Sequence, residues 1–568
     1  MKRSWPLVLT VMVGLPSLTT GFVLDDWMQR AVARGQLTFT GPLELFSFGS
    51  GRAEDMAPLI HRGPFPWFTQ PDLKLRFLRP LSSALIWFDT TVFGDAPVPQ
   101  HLHSLAWALA LTAVAMALYQ RLLPPPLVVL AGVCFAVDDA HALPTMWLAN
   151  RNALVASALT FFALALHLRW RSGGPGWFAV GAVAFAALGL SAGETAVACL
   201  AYVAAYELVG RAEPLRHRLL ALAPMTVLLG VYGVVYKLTA SGARGSATYV
   251  DPVSEPLVFL AVAPVRLLAN VGAQTWGLPD LWLTLPPTRV VLVVAGVLSL
   301  PAWWFAWRRW APAAPEERRT LSWLGAGAAL SVVPTLATFP AARLLTAASL
   351  GLAALVAAFL KAAWQERGLR RVVGLGWLVG SFGVGAVLAW LSMPLAFRAV
   401  GERTTAAVSA LGLGGGERVV VVSSTEFAAA IYGVPVLLEQ RRPEPTSWHV
   451  WSMAQKAIEV TRVTEREVEL RVVDGVMLES VFEQNFRGPA HPVPDGYAVA
   501  LDGQPVTVVE TRDGFPVRVR IELQLPAEAF TFVWWNGDVL ERLDLPEVGQ
   551  RRVLPRSPTV FERLLTGA

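Results

Sequence analysis

Two adjacent carboxylates, Asp25 and Asp26, follow directly on the first apolar stretch of the chain. This stretch, from about Pro6 to Leu24, is apolar enough to span a bilayer, and Lys2 and Arg3 precede it. Because basic residues that flank a first span stay in the cytoplasm, we expect the carboxylates to emerge on the other side. Like charges at a membrane surface repel each other and are costly to desolvate. The pair therefore predicts a functional site, with a simple helix end in water as the alternative.

Further ionisable residues lie at other predicted span ends on the same side of the membrane. They are Asp138, Asp139, His141, Arg151 and Glu194, with Trp147 and Asn150 beside them. Such residues are expensive near a bilayer, so a function is the default hypothesis. Arg151 opposes the cytoplasmic bias of basic residues and therefore predicts an anionic partner, which could be Asp25, Asp138 or a ligand phosphate.

Metal binding is the weaker interpretation of these residues. His101 and His103 are two positions apart, so on a helix they face in different directions. Asp138 and His141 have a spacing that suits one helix face, and a divalent metal there is a possible cofactor. We expect that no cofactor is required.

The elements that must position these residues are membrane helices. The chain has 568 residues, of which 54% are hydrophobic and 16% charged, and apolar runs of about 20 residues alternate with short basic loops. This pattern predicts a polytopic α-helical membrane protein with about 11 transmembrane helices. We place them at about 6–24, 103–122, 127–137, 147–168, 177–191, between Glu194 and Arg211, and at 219–237, 290–307, 321–338, 343–360 and 372–394.

Charge sets the predicted orientation. The net charge of +5 comes from basic residues in short loops such as Arg308-Arg309, which indicates topology and excludes a nucleic-acid partner. We expect an uncleaved, multi-pass protein of the inner (cytoplasmic) membrane with its N-terminus in the cytoplasm. An extracytoplasmic loop covers about 25–100, and its aromatic run Pro64-Phe65-Pro66-Trp67-Phe68 suits the membrane interface. An interfacial helix at about 255–276, which carries Arg266, keeps the later basic loops inside.

The composition changes near residue 399. We therefore predict a transmembrane domain over 1–398 and an extracytoplasmic β-rich domain, most simply a sandwich, over 399–568. Leu411 to Gly416 is glycine-rich and indicates a flexible link. Alternating strands follow, separated by turns such as Asp502-Gly503 and Asp513-Gly514. No cluster of catalytic residue types is visible in this region.

The run from Asp138 to Arg151 resembles a known family. It reads D-D-A-H-A-L-P-T-M-W-L-A-N-R and resembles the H-P-x-H-T-E-A-V-x-W-x-x-G-R segment of TMTC-type O-mannosyltransferases and their bacterial relatives, of the GT-C superfamily of membrane glycosyltransferases. His141, Trp147 and Arg151 match. Other similarities occur in family order, over about residues 1–400: the acidic pair after span one, Arg79-Pro80-Leu81, Ser191 to Glu194, and Arg343-Leu-Leu-Thr.

Several positions depart from the family pattern. The first histidine of the motif is Asp138, its glutamate is Leu143, and a lysine expected before Glu194 is Ala192. The helical repeats that usually follow are replaced by the β-rich region. These differences leave open the acceptor and the retention of activity.

The resemblance implies that a sugar passes from a polyprenyl-phosphate carrier to an acceptor hydroxyl on the outer face, with inversion. An aspartate of the first loop would act as general base, and basic groups would hold the carrier phosphate. Consecutive helical residues point about 100° apart, so one of the two aspartates faces the site. We favour Asp25, with Asp26 turned to water, to the acceptor or to a basic side chain. Substrate-binding candidates are Arg79, Asp138, His141, Trp147, Arg151, Glu194 and Arg343.

Two other classes of function remain open. A transporter or flippase of lipid-linked glycans would place polar residues near the bilayer midplane, often on repeated helices, whereas these residues gather at one surface. A non-catalytic membrane scaffold that presents the β-rich region is the third possibility. The sugar, and whether the acceptor is a protein, a lipid or a glycan, do not follow from the sequence.

Overall fold

The protein, in a computed structural model, has a helical part up to residue 410 and a β-rich part after it. The structure describes residues 4–38, 40–63, 65–279, 282 and 286–566, so Lys2, Arg3 and Pro64 lie outside it. The first hundred residues contain α1 (Trp5–Gly14), α2 (Asp25–Ala33), β1 (Ser47–Ser50), α3 (Ala53–His61), β2 (Lys74–Arg76) and α4 (Pro80–Phe93). There follow α5 (Pro97–Leu122), α6 (Pro125–Val137), α7 (Ala142–Met146), α8 (Asn152–Arg171), α9 (Trp177–Ala192), α10 (Thr195–Ala205), α11 (Leu215–Leu238), β3 (Gly242–Arg244), α12 (Pro256–Trp276), α13 (Pro286–Trp310), α14 (Pro315–Val332), α15 (Ser349–Gln365), α16 (Leu369–Val379) and α17 (Ala386–Ala410).

Among the described residues, seven helices are long and apolar enough to cross a membrane. The pair Pro125–Val137 and Asp139–Met146, bent by 47°, makes an eighth if it is one span. Four shorter apolar helices cover Trp5–Thr19, Trp177–Ala192, Thr195–Gly210 and Ser349–Gln365. Each predicted span overlaps one of these helices. Pro256–Trp276 also has the length and hydropathy of a span, so its interfacial position stays a prediction.

The predicted ends of the first and last spans are wrong. The first apolar helix ends at Thr19 rather than at Leu24, and Gly21 follows with a φ of 75°. The last helix does not end at Pro394 but continues to Ala410. It continues because its later residues still bury one face, at Gly401, Thr404 and Val408, with helical spacing. The predicted domain boundary at 398/399 therefore falls inside a helix, and the division into two domains stays a prediction.

The C-terminal part is β-rich, as predicted. Its elements are β4 (Arg418–Ser423), α18 (Phe427–Ile431), α19 (Gly433–Glu439), β5 (Ser447–Val450), β6 (Ile458–Arg462), β7 (Glu467–Val472), α20 (Val481–Gln484), β8 (Ala498–Leu501), β9 (Gln504–Arg512), β10 (Phe515–Glu522), β11 (Phe530–Trp535), β12 (Leu540–Arg542), β13 (Arg551–Leu554) and α21 (Val560–Thr566). Six antiparallel strands form one sheet, β13-β6-β7-β10-β9-β8. In its hairpins Asp502-Gly503 and Asp513-Gly514 have positive φ, as two-residue turns require.

A second sheet has the order β12-β11-β4-β5, and β4 pairs with both β11 and β5 in parallel. Parallel neighbours need a crossover connection, which α18 and α19 provide between β4 and β5. The sequence pattern did not predict this unit, because its helices are only five and seven residues long. The crossover brings two short helices and the loop between them against the membrane helices.

The first loop and the C-terminal part share one hydrophobic core. Phe65, Trp67 and Phe68 are buried in it together with strand residues such as Val420 and Val519. The Trp67 indole Nε1 donates a hydrogen bond to the Trp451 carbonyl at 2.8 Å. The prediction that these aromatic rings lie at the membrane interface is therefore wrong, because they pack against the β-rich part instead.

Ion pairs strengthen the same contact. Buried Arg30 on α2 pairs with Glu439 at the end of α19 at 2.9 Å, and Arg34 reaches the same carboxylate at 3.1 Å. Leu411 and Leu413, in the segment predicted to be a flexible link, are both buried in the shared core. The C-terminal part is thus docked on the helix that begins with Asp25 and Asp26.

Candidate functional site

A cavity of about 1130 Å³ lies where the helical part meets the C-terminal part. Its helical walls include Leu24, Asp25, Leu143, Trp147 and Arg343. The C-terminal part contributes residues around α18, α20 and α21. Most of its surface is apolar with a few charged groups, which is the usual character of a small-molecule site.

Asp25 is the carboxylate that faces this cavity. Its Oδ1 accepts a hydrogen bond from the Tyr432 hydroxyl, which comes from the loop between α18 and α19. Burial raises the pKa of Asp25 above its ordinary value, while the Tyr432 hydroxyl and the guanidinium groups of Arg343 and Arg79 oppose this effect. A carboxylate with a raised pKa, fixed by a hydroxyl, is suited to accept a proton from a bound ligand.

The backbone before Asp25 is strained. Leu24, the N-cap of α2, has a φ of 54° and a ψ of −122°, a conformation that a residue with a side chain rarely adopts. Such a residue costs on the order of 1–3 kcal/mol and persists only where its surroundings hold it. Here Leu24 lines the cavity and Asp25 begins the helix immediately afterwards. The strain therefore lies where the chain turns Asp25 toward the cavity.

Asp26 has a structural position and does not line the cavity. Its carboxylate accepts hydrogen bonds from the backbone N–H of Ala149 at 2.8 Å and of Val23 at 3.1 Å, and only 2% of the residue is exposed. The expectation that Asp26 turns to water, to the acceptor or to a basic side chain is wrong. It joins the start of α2 to the segment between α7 and α8.

Asp26→Asn should destabilise the fold in a pH-dependent way. Asparagine keeps one acceptor but presents an NH₂ group to the second backbone amide, a loss of about 1–3 kcal/mol. Burial raises the pKa of Asp26 from 3.8 to about 7. Its contribution to stability is therefore complete below the ordinary pKa and is lost as pH rises through 7. In thermal unfolding in detergent, the difference in melting temperature between wild type and variant should become smaller from acid to neutral pH. A difference in melting temperature that becomes larger over this range would contradict this position for Asp26.

Arg343 lies on the cavity wall in the 3₁₀ turn Ala342–Leu345, whereas it was predicted to begin a span, which starts only at Ser349. One of its NH groups donates to the Asn150 side-chain oxygen at 3.3 Å, and its guanidinium stacks over Trp147 at 5.6 Å. Among the described residues no carboxylate pairs with Arg343 within 4 Å. A second arginine, Arg289, lines the same cavity, and its Nε donates to the Trp282 carbonyl at 3.1 Å. Two guanidinium groups are thus available to an anionic ligand.

Arg151 does not reach the cavity. Its guanidinium forms an ion pair with Asp89, and both side chains are at most 3% exposed. Its Nε donates to Ser104 at 2.8 Å and its remaining NH₂ group to the Gln100 carbonyl at 2.8 Å. An anionic partner for Arg151 was predicted correctly, but the proposed partners Asp25, Asp138 and a ligand phosphate are wrong. Each guanidinium nitrogen already has a partner within the bundle.

Arg79 and Glu194 form a pair of their own beside the cavity. The Arg79 Nε and the Glu194 carboxylate are 2.7 Å apart, and the guanidinium packs over Phe46 and Phe77 at 4.9 and 4.7 Å. Phe77 lines the cavity, whereas neither charged residue does. Arg79 acts on Asp25 through its charge rather than by contact.

Asp138 and His141 have different hydrogen-bond partners. Asp138 accepts a hydrogen bond from the Ala140 amide at 3.0 Å, whereas the His141 Nε2 pairs with the Ser349 hydroxyl at 3.0 Å. Both are buried, and neither lines the cavity. Across the described part of the chain, no group of three His, Cys, Asp or Glu side chains could hold a metal ion. Both residues instead hold the bend between α6 and α7.

Sequence reasoning missed the contribution of the C-terminal part. Tyr432, Phe427 and Phe482 line the cavity, although no catalytic cluster was visible in this region. Their signal in the sequence is slight, because aromatic residues near a strand are usually core residues. Arg289 was missed for another reason: it lies at the start of an apolar helix, where a basic residue is ordinary.

No family model and no curated protein matches the chain. Among solved structures, the crystal structure of ArnT from Cupriavidus metallidurans bound to undecaprenyl phosphate is similar to it at 15% identity and a TM-score of 0.42, over 78% of this chain and 90% of that one. At this identity and TM-score the likeness carries no argument about ligand, reaction or residue roles, for which this chain's own geometry is the basis.

Proposed function

We propose that the protein is a membrane glycosyltransferase that moves a sugar from a polyprenyl-phosphate carrier to an acceptor hydroxyl. One observation supports this above all: the Asp25 carboxylate and the Arg343 guanidinium line the same largely apolar cavity. A glycosyl transfer of this kind needs a base for the nucleophile, a positive charge for the leaving phosphate and an apolar surface for the lipid. The cavity contains all three.

Asp25 would act as the general base. The acceptor hydroxyl gives its proton to the Asp25 carboxylate while its oxygen forms a bond to the anomeric carbon. The bond from this carbon to the phosphate oxygen breaks, and polyprenyl phosphate leaves. A single displacement inverts the anomeric carbon and needs no second nucleophile. The hydrogen bond from Tyr432 fixes the carboxylate that this step requires.

Arg343 would hold the carrier phosphate, with Arg289 as a second cation. Arginine suits this task because its planar guanidinium can donate two parallel hydrogen bonds to a phosphate. The neighbouring wall of Leu143, Met393 and Leu395 is apolar and suits an isoprenoid chain. Leu143, where the resembling family has a glutamate, thus lies on the lipid side of the proposed site.

The shared core supports the proposed topology. Because the first loop and the C-terminal part are buried against each other, both must lie on the same side of the membrane. The basic loop at Arg308-Arg309 favours the cytoplasm for the opposite ends of the helices. The proposed site therefore faces the extracytoplasmic side of the inner membrane, with the N-terminus in the cytoplasm.

Arg343→Ala should weaken binding of a polyprenyl phosphate about 10- to 100-fold, the contribution of charged hydrogen bonds to phosphate. Arg343→Lys keeps the charge but loses the planar fork, so its loss should be smaller. Native mass spectrometry of the protein in nanodiscs with undecaprenyl phosphate would measure this, with undecaprenol as the probe that lacks phosphate.

Arg169→Ala is the matched control for the Arg343 variants. This exposed arginine lies at the C-terminal end of α8 and stacks over Phe178 at 5.6 Å. Its removal takes the same charge from the protein without touching the cavity, so binding should stay at the wild-type level. Equal binding of undecaprenyl phosphate and undecaprenol to the wild-type protein would contradict the proposed carrier.

A further inference from the structure

The walls of the cavity differ in chemistry according to the part of the chain that supplies them. The helical wall is mainly aliphatic, as at Leu143, Met393 and Leu395. The C-terminal wall combines aromatic rings with several hydrogen-bonding side chains. They include Phe427, Phe482 and Phe486 with Gln455, Lys456 and Asn485. The contact between Tyr432 and Asp25 joins the two walls at the proposed base.

The aromatic rings form a cluster with a flat surface. The Phe427 and Phe482 rings stack with their centroids 5.2 Å apart and an interplanar angle of 26°. The ring centroid of Phe486 lies 6.4 Å from that of Phe427, and the Tyr432 ring packs edge-on against Phe427 with a centroid distance of 5.8 Å. Phe427 and Phe482 are half-buried, so part of each ring remains open to the cavity. Such faces attract the weakly positive C–H groups of a sugar ring.

The polar groups of this wall retain hydrogen-bonding capacity. Asn485 accepts from the Thr248 hydroxyl through its oxygen at 2.5 Å, and its NH₂ group has no partner among the described residues. Gln455 donates to the Thr425 carbonyl at 2.8 Å, which leaves its oxygen free to accept. Lys456 contacts Glu479 only at 3.6 Å. A donor, an acceptor and an ammonium group thus stand beside the aromatic cluster.

We propose that the C-terminal wall binds a carbohydrate acceptor, whose ring packs on Phe427 and Phe482 and whose hydroxyls meet Asn485, Gln455 and Lys456. This proposal rests on the proposed function and names the acceptor of that reaction. An acyl chain offers no hydrogen-bonding group to the free donor and acceptor. A sugar satisfies both the flat faces and the polar groups. One of its hydroxyls, beside Tyr432 and Asp25, is the nucleophile that loses its proton to Asp25.

Saturation-transfer NMR on the full-length protein in nanodiscs tests the acceptor class. The probes are methyl pyranosides of glucose, mannose, galactose and N-acetylglucosamine, a short Ser/Thr peptide and a short-chain alcohol. We expect transfer to at least one pyranoside. Phe482→Leu keeps the apolar volume but loses the flat face, and Asn485→Asp loses the donor, so each should bind that pyranoside about three- to tenfold more weakly.

Phe515→Leu is the matched control, because Phe515 is also a half-buried ring of the C-terminal part but does not line the cavity. Pyranoside binding should survive this change. Transfer to the peptide or the alcohol alone, or pyranoside transfer that both site variants retain, would overturn the proposal. Undecaprenyl phosphate binding, measured separately, distinguishes the two proposals. If undecaprenyl phosphate does not bind, the proposed donor is wrong. If undecaprenyl phosphate binds but no pyranoside does, only the proposed acceptor class is wrong.

Discussion

Asp25→Asn should lower sugar transfer by about 10² to 10⁴, the usual effect of losing a general base. Asparagine has the same shape and can still accept the hydrogen bond from the Tyr432 hydroxyl, so the fold should persist. Binding of undecaprenyl phosphate should also persist, because Arg343 is unchanged. Transfer of radiolabelled sugar from a polyprenyl-phosphate donor pool, in membranes that contain the variant, measures the loss.

Asp26→Asn is the comparison for this experiment, since it makes the same change at the neighbouring position. Per folded molecule it should cost less transfer than Asp25→Asn, because Asp26 holds backbone amides outside the cavity. Wild-type transfer should fall on acidification at a pH above the ordinary range of an aspartate, because burial raises the pKa of Asp25. A larger loss of transfer in Asp26→Asn than in Asp25→Asn would make Asp26 the base instead of Asp25. Full transfer in both variants would end the proposal of an enzyme.

Arg151→Ala should be the most destabilising of the changes considered, at about 3–5 kcal/mol. It leaves the Asp89 carboxylate, which is 1% exposed, without its charged partner inside the bundle. The guanidinium also bridges Ser104 and the Gln100 carbonyl, so α4, α5 and α8 lose a common contact. Arg151→Lys should be milder but still destabilising, because one ammonium group cannot make all three contacts.

Thermal unfolding in detergent measures the effect of Arg151, and a double variant separates its causes. Arg151→Met with Asp89→Leu removes both charges and should recover much of the stability lost in Arg151→Ala. Undecaprenyl phosphate binding per folded molecule should be unchanged in each. An Arg151→Ala protein as stable as wild type, yet unable to bind the carrier, would instead support the original expectation of a phosphate ligand.

The sequence was informative where the cause is local. Apolar runs predicted the positions of the long helices, and the Asp-Gly turns predicted hairpins of the larger sheet, because both depend on neighbouring residues. Helical geometry indicated that only one of the two adjacent aspartates faces the site, and Asp25 was favoured because it lies closer to the end of the first span. The structure places Asp25 in the cavity and Asp26 outside it. Its catalytic role stays a prediction.

Contacts between distant segments were not predictable in this way. Arg151 required an anionic partner, but nothing in the spacing of residues marked Asp89, which lies 62 positions away. The aromatic run around Trp67 has the composition of a membrane-interface segment, yet its rings fill the core under the β-rich part. Composition shows that a surface must be buried but does not identify what buries it.

The separation of Asp25 and Tyr432 along the sequence determines the order of events during synthesis. The two residues are 407 positions apart, and Glu439, the nearer of the two carboxylates that pair with Arg30, lies 409 positions after it. When the ribosome has completed the last membrane helix at Ala410, it has not yet made Tyr432 or Glu439. In the proposed reaction, an unfinished chain in the bilayer would carry the phosphate-binding arginine without a fixed base. Such an intermediate could hold the lipid carrier but could not transfer its sugar, and activity would begin only when the β-rich part after Ala410 has folded.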